Sequence, residues 1–427
     1  VHTAVGFKEA YRQFVAGGWQ GLQHPTEFGG QGLPKLIHAA CCEMVNSGSI
    51  SFALFSLLTD GAIEALLTAG SHDLQAQYIP KMIDGSWTGS MNLTEAGAGS
   101  DLSQVRTRAE PQADGSYKLF GTKIFITYGE HDLADNIVHL VLARVAGAPE
   151  GVKGISLFLV PKFLPGANGE PGARNALACG SIEHKMGIKA SSTCVMNFDG
   201  ATGWLVGEPH NGLKAMFTMM NAARLGVAMQ GLGIGEVAWQ NARAYAKDRL
   251  QMRALSGAKH PEKPADPIIV HPDVRRMLLT MKAFTEGARA LSYLVGMNLD
   301  LSLRHPDPLV RQEADDLVAL LTPVIKAYQT DMGFEVANLS MQVHGGHGYI
   351  REYGVEQYAR DARIAMIYEG TNGIQALDLV GRKMSKGYGR LLRSFFHRVS
   401  GFVTDHQADP KICLLYTSPS PRDGLLS

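Results

Sequence analysis

Residues 91–101 read MNLTEAGAGSD, and at this stretch the chain changes texture. Upstream, apolar residues recur at spacings of three and four through 37–45 and 62–67, the period of helices with one buried face, interrupted by the Gly-rich loop 27–32. Downstream, Tyr117–Thr127 and 136–161 are rich in Ile, Val and Phe with Gly or Asp at the turns, which is strand texture, clearest in 151–160 (GVKGISLFLV). Residues 165–180 read as a Pro/Gly loop and 181–198 as strand again. Helical periodicity resumes near Gly212 and runs to about Arg398, broken once by the Pro-rich loop 256–267. Helices, then strands, then helices, with no β-α-β alternation and no internal repeat, predict an α+β chain rather than a Rossmann sheet. The expected units are an N-terminal α-helical domain over 1–90, a central β-barrel or sandwich over 91–208 and a C-terminal α-helical bundle over 209–400.

Composition narrows the class. The chain has 427 residues, 45% hydrophobic, with 40 Lys+Arg against 40 Asp+Glu for a net charge of +0. A neutral chain without a basic run has no electrostatic footprint for nucleic acid or an anionic membrane, so neither is an expected partner. The 5 cysteines (Cys41, Cys42, Cys179, Cys194, Cys413) form an odd set without a C-x-x-C pair. They fit reduced thiols in a bacterial cytoplasm or a mitochondrial matrix and argue against a disulfide scaffold or a zinc site. The longest apolar stretches, such as 50–58, are about half of what a membrane span needs. The chain opens at Val1, which reads as a truncated start, and 411–427 reads as a non-native tail: YTSPSPRD at 416–423 resembles translated adaptor sequence, the alternative being a genuine disordered tail.

Two strings carry chemistry. In 91–101 the Gly-Ala-Gly-Ser run lets backbone N–H groups approach a flat or anionic ligand, with Thr94 and Ser100 adding hydroxyls. The plain alternative is a Gly-rich turn entering a strand. In 367–375, IYEGTNGIQ, one carboxylate stands between Tyr368 and Gly370, and its plain alternative is a helix-capping Glu. Weaker signals have simpler explanations. Gly231–Gly235 (GLGIG) mimics a dinucleotide fingerprint, but helical sequence precedes it rather than a strand, so it reads as helix packing. His344 and His347 lack a third metal ligand. The methionines of 216–220 read as core, or as the lining of a pocket for a thioether chain.

Together the two strings resemble the acyl-CoA dehydrogenase family. The likeness continues through PTEFGGQGL (25–33), GTKIFIT (121–127), 221–224, 245–249, QVHGGHGY (342–349) and RDARI (360–364), and covers roughly residues 20 to 385 in the family's order. SIEHKMGIKA (181–190), AMFTMMNAARL (215–225), PADPIIVHPDVRR (264–276) and EGTNGIQALDLVGRK (369–383) resemble its 3-methylmercaptopropionyl-CoA dehydrogenase branch, whose members are typically longer at both ends.

The resemblance implies the three-domain fold of that family and α,β-dehydrogenation of an acyl-CoA thioester to the trans-2-enoyl-CoA with FAD as cofactor. It makes Glu369 the base. An ordinary Glu is too weak for that task, so desolvation must raise its pKa, and hydrogen bonds from its own backbone N–H and a flavin hydroxyl must stabilise the enolate. A minority of the family carries the base one residue before the arginine matching Arg224, where this chain has Ala223. By the same resemblance Leu93 and Thr94 meet the flavin ring, Phe125, Ile126 and Thr127 stack against it, and Gly99 and Ser100 approach flavin phosphate or the CoA arm. Arg249 and Gln251 hold the pyrophosphate, and Gln342, Gly345 and Gly346 reach the FAD of a neighbouring subunit. Thr371 and Asn372 complete the cofactor site, while Ser100, Asn221, Arg224 and Gly370 meet the substrate. The implied partners are an electron-transfer flavoprotein and further copies of the chain, as homodimer or homotetramer. Two other readings share the fold: an acyl-CoA oxidase that uses oxygen, and a non-catalytic FAD- or CoA-binding assembly partner.

Overall fold

The computed structural model of the chain describes residues 1–166 and 169–409. The tail 411–427 and Cys413 lie outside the described residues. Helices α1 (Phe7–Ala16), α2 (Lys35–Gly48), α3 (Ile50–Ala69) and α4 (His72–Ile83) come first. Strands β1 (Trp87–Asn92), β2 (Arg108–Pro111), β3 (Tyr117–Thr127), β4 (Asn136–Val145), β5 (Ile155–Pro161), β6 (Phe163–Pro165), β7 (Pro171–Arg174), β8 (Leu177–Ile182) and β9 (Thr193–Val206) follow. Then come α5 (Gly212–Asp248), α6 (Pro272–Arg304), α7 (Pro308–His344), α8 (Glu356–Ala362), α9 (Asn372–Asp378) and α10 (Lys386–Asp405).

The strands close into a barrel. β4 pairs with β2 and β5, β2 with β3, β3 with β9, and β9 returns to β5. β1 adds in parallel along the first half of β4, and β8 adds to β9. Closure leaves few unpaired edges. The side-chain period of two then sorts β4 and β5 into two cores. Val141, Ala143 and Phe158 point inward with Leu119 and Met196, whereas Leu140, Leu142, Leu157 and Leu159 pack outward against Ala62 and Leu66 of α3 and Met216 and Met219 of α5. The methionines at 216 and 219 are therefore core residues.

Several sequence expectations are corrected. Residues 50–58 are only the first half of α3, a 20-residue helix long and apolar enough by length and composition to cross a bilayer. Its apolar surface is instead buried within the chain, with Ala62, Ile63, Ala65 and Leu66 all 0% exposed. Residues 151–154 form a helical turn, so that strand begins at Ile155. The expected loop 165–180 contains the β6–β7 ribbon and the start of β8. Conversely 183–192 leaves the sheet. Asp361 of α8 accepts a 2.6 Å hydrogen bond from the Ile188 N–H, and a Cβ on Gly187 would lie 2.2 Å from the Arg360 carbonyl oxygen. A tertiary anchor to α8 overrides the strand propensity there.

The GLGIG string lies inside α5 and does what helix packing requires. A Cβ on Gly231 would fall 2.2 Å from the Gln329 carbonyl oxygen, and one on Gly333 would fall 2.4 Å from the Gly231 carbonyl oxygen. The backbones of α5 and α7 touch at this crossing. Gly287, on the exposed side of α6, has nothing within 4 Å of its Cβ position. Gly231→Ala is expected to destabilise the fold by about 1–3 kcal/mol through overpacking. Gly287→Ala is expected to stabilise it by about 0.5–1 kcal/mol through helix propensity. Thermal unfolding of the two variants should therefore move the midpoint in opposite directions.

Candidate active site

The site begins at an irregularity in β3. Its ladder with β9 shifts register between Lys123 and Ile126, a bulge that re-aims the side chains there. Phe125 takes φ of 58° and is 60% exposed. Ile126 is only 2% exposed and packs into the barrel core, so its side chain is not available to stack on a ring at the surface. Thr127 is half-buried, and its carbonyl accepts from the Ser90 hydroxyl at 2.9 Å.

Behind the bulge, the Lys123 Nζ donates to the Leu93 carbonyl at 3.0 Å and to the Glu95 carboxylate at 2.8 Å. Glu95 also accepts from the backbone N–H groups of Arg106 and Thr107 and from the Thr107 hydroxyl. Ile124 N–H donates to the Thr94 carbonyl at 2.9 Å. Leu93, Thr94 and Glu95 are thus stitched to β3 and to 106–107. Burial lowers the Lys123 pKa to about 8, against the opposing pull of Glu95. Burial alone would raise Glu95, but the Lys123 charge and these hydrogen bonds hold it below the usual carboxylate range. Further along the loop, Gly99 and Ser100 are exposed, and nothing lies within 4 Å of a Cβ on Gly97 or Gly99.

Glu369 stands between a short helical turn (Arg363–Met366) and α9. Its φ of 55° is left-handed, as is the 81° of Gly370. A non-glycine residue in that region is held there by its surroundings. The Gly370 carbonyl accepts from Lys326 Nζ and from Gln375 Nε2, both at 2.8 Å. Asn372 accepts from Lys326 Nζ through Oδ1 at 2.9 Å and donates to Asp331 through Nδ2 at 2.7 Å. Its side chain is engaged with α7. Thr371 is exposed at the α9 N-terminus. Burial raises the Glu369 pKa to about 7, partly offset by the positive charges of Lys326 and Arg224. The neighbouring Tyr368 hydroxyl, pushed up by burial, donates to the Gln230 carboxamide.

Arg224 is 4% exposed and donates to Asp378 of α9 at 3.0 Å. Its guanidinium makes that ion pair and sits 3.9 Å from a Cβ on Gly370, beside the base loop. Asn221, one turn earlier, is exposed. Tyr128, just beyond β3, and Tyr368, just before Glu369, belong to one apolar cluster with Phe55 and Ile234. That cluster brings the barrel end and the base loop together. A cavity of about 520 Å³ opens beside them, with Ala53, Leu57, Leu225, Gly226, Met229 and Gln230 among its walls.

Arg249 and Gln251 follow α5 and are exposed, as are Gln342, Gly345 and Gly346 at the end of α7. These segments meet where the Tyr245 hydroxyl and His347 Nδ1 lie 2.8 Å apart and the Tyr245 ring lies 4.3 Å from that of His344. They form a patch on the bundle end, joined to Glu369 through α5 and α7. Sequence reasoning missed Lys326, Asp378, Gln230 and the Lys123–Glu95 pair. A lysine inside the apolar run LTPVIKAY (321–328) was the one visible signal.

Sequence profiles described as the N-terminal, middle and C-terminal domains of acyl-CoA dehydrogenase match residues 2–86, 90–201 and 210–384. A 3-methylmercaptopropionyl-CoA dehydrogenase from Ruegeria pomeroyi is 55% identical over 395 residues, 92% of this chain and 66% of that protein. A butyryl-CoA dehydrogenase from Syntrophomonas wolfei is 38% identical over 412 residues, 94% of this chain and 67% of that protein. The chain thus spans about two thirds of the length of these curated relatives. Among solved structures, butyryl-CoA dehydrogenase from Megasphaera elsdenii superposes with a TM-score of 0.73 at 26% identity, covering 87% of this chain and 89% of that one. With its helical N-terminal domain, β-barrel middle domain and helical C-terminal domain, the chain belongs to the acyl-CoA dehydrogenase family.

Proposed function

We propose that this protein removes a hydrogen from each of the α and β carbons of an acyl-CoA thioester, giving the trans-2-enoyl-CoA. Glu369 carries the reading: it is a carboxylate held among apolar and cationic neighbours with its pKa raised to about 7. Such a group is basic enough to take an α-proton and still ionised in part at neutral pH.

FAD fits what the chain offers. The exposed Phe125 face suits a flat ring, Thr94 and Thr127 supply hydroxyls, and the open Gly97–Gly99 loop admits phosphate close to backbone. Leu93, Thr94, Gly99, Ser100, Phe125 and Thr127 would hold it, with Arg249 and Gln251 at the pyrophosphate and Gln342, Gly345 and Gly346 serving a neighbouring subunit. Bound FAD supplies the acceptor for the hydride leaving the β carbon. Everything else falls to the chain. Glu369 takes the α-proton at its carboxylate, Tyr368 and Gly370 fix its direction, and the bulge at β3 presents the ring-binding face.

The substrate class is a short or medium acyl-CoA, with 3-methylmercaptopropionyl-CoA favoured by the identity to the Ruegeria enzyme. Electrons would pass to an electron-transfer flavoprotein, the assembly would be a homodimer or homotetramer, and a cytoplasmic or matrix setting suits its free cysteines. The working division is 1–90, 91–208 and 209–400.

Anaerobic titration of the FAD-loaded protein with 3-methylmercaptopropionyl-, butanoyl- and octanoyl-CoA is the direct test, with flavin bleaching as the readout. Bleaching by none of them would sink the proposal, and bleaching only by the straight chains would sink the sulfur substrate. Glu369→Gln should retain FAD while slowing flavin reduction by at least roughly a thousandfold. The wild-type rate should rise with pH through about 7, because the protonated carboxyl cannot accept the α-proton. An acid limb near the ordinary Glu value would contradict the burial argument.

A further inference from the structure

Lys326 has no role in the chemistry above, yet it is among the most deeply buried charges described, at 0% exposure in the middle of α7. An ammonium out of water normally sits against a carboxylate. This one does not: its hydrogen-bond acceptors are the Gly370 carbonyl and Asn372 Oδ1, both neutral, and among the described residues it is joined to no carboxylate. Those two oxygens belong to residues one and three positions after Glu369, and they fix the ammonium against the base loop.

We propose that Lys326 is a positioning residue for the base: a fixed positive charge, anchored on the two residues Gly370 and Asn372 just after Glu369, that favours the ionised form of this carboxylate. The inference rests on Glu369 being the base. Burial pulls both groups toward their neutral forms, Glu369 to about 7 and Lys326 to about 8, and each is the strongest charged neighbour acting on the other. The remaining charges near the loop are already committed. Arg224 of α5 faces Glu369 but is paired with Asp378 of α9, Asp331 of α7 accepts from Asn372, and Asp361 of α8 accepts from the Ile188 N–H. The Tyr368 hydroxyl is neutral.

The anchoring also explains the geometry. With the Gly370 carbonyl tied to Lys326 and Gln375, the two left-handed residues cannot relax without breaking both hydrogen bonds. The same ammonium thus orients and tunes the base. A loop brace without charge would serve only the first purpose.

The test compares Lys326→Met, Lys326→Gln and Lys326→Arg in the FAD-loaded protein. With Met or Gln, the acid limb of flavin reduction should move up by roughly one pH unit or more. The rate should then fall about fivefold at pH 7 and recover toward wild type at pH 9, whereas Arg should leave the limb in place. A second readout needs no turnover: carbodiimide labels protonated carboxyls, and the pH midpoint of Glu369 labelling, read by peptide mass spectrometry, should shift with the limb. A uniform loss of rate at every pH with an unmoved labelling midpoint would overturn the proposal, as would an Arg variant that behaves like Met. If Lys326→Met fails to fold, Lys326→Gln and its labelling midpoint decide the matter. Failure of the base assignment looks different, since Glu369→Gln would then reduce flavin normally whatever the labelling shows.

Discussion

A carboxylate that takes a proton from carbon must be kept from bulk water, and it must still be able to ionise. The two demands conflict, because removing water stabilises the neutral acid. The C-terminal bundle is arranged around that conflict. Glu369 is held in a left-handed conformation between a helical turn and α9, next to Tyr368, whose hydroxyl is tied to Gln230, and is acted on by two cations from different helices. Neither cation is free to swing toward solvent, since Arg224 is tied to Asp378 and Lys326 to the loop itself.

The spacing of those cations follows from the glycine crossing of α5 and α7. Arg224 and Lys326 precede Gly231 and Gly333 by seven residues each, or about two helical turns. The backbones touch at that crossing, and both cations act on Glu369. A wider helix separation would draw the charges apart and let water between them. The barrel meets the bundle through the Tyr128–Tyr368 cluster, so the bulge that exposes Phe125 and the loop that carries Glu369 are held by one apolar contact region.

Much of this was legible in the sequence, for a physical reason. Periodicity reports which face of an element is buried, so the order of helices, strands and helices could be read, and β3 was placed as Tyr117–Thr127. Glu369 stood out through the family motif around it, since a carboxylate beside glycine reads equally well as a helix cap. What stayed hidden depends on partners distant in the chain. Residues 183–192 have strand composition but are held by α8, and the β-propensity of a segment says nothing of such an anchor. Arg224 and Asn372 were recognised by motif, while their partners Asp378, Lys326 and Asp331 could be paired with them only once the chain was folded. Lys326 stands out only as a charge inside an apolar run, and what it touches shows once the fold buries it.

The polar atoms left without partners point the same way. Arg224 Nε, Gln230 Nε2 and Gln375 Oε1 are buried side-chain atoms with no hydrogen-bond partner among the described residues, and each belongs to a residue bracing Glu369 or its neighbours. An unsatisfied buried polar group costs on the order of 1–3 kcal/mol. Three of the ten such atoms among the described residues thus sit on residues around the base loop. The bundle therefore holds strain, desolvated charge and unused hydrogen-bonding groups in one place, and that combination serves a reaction better than it serves stability.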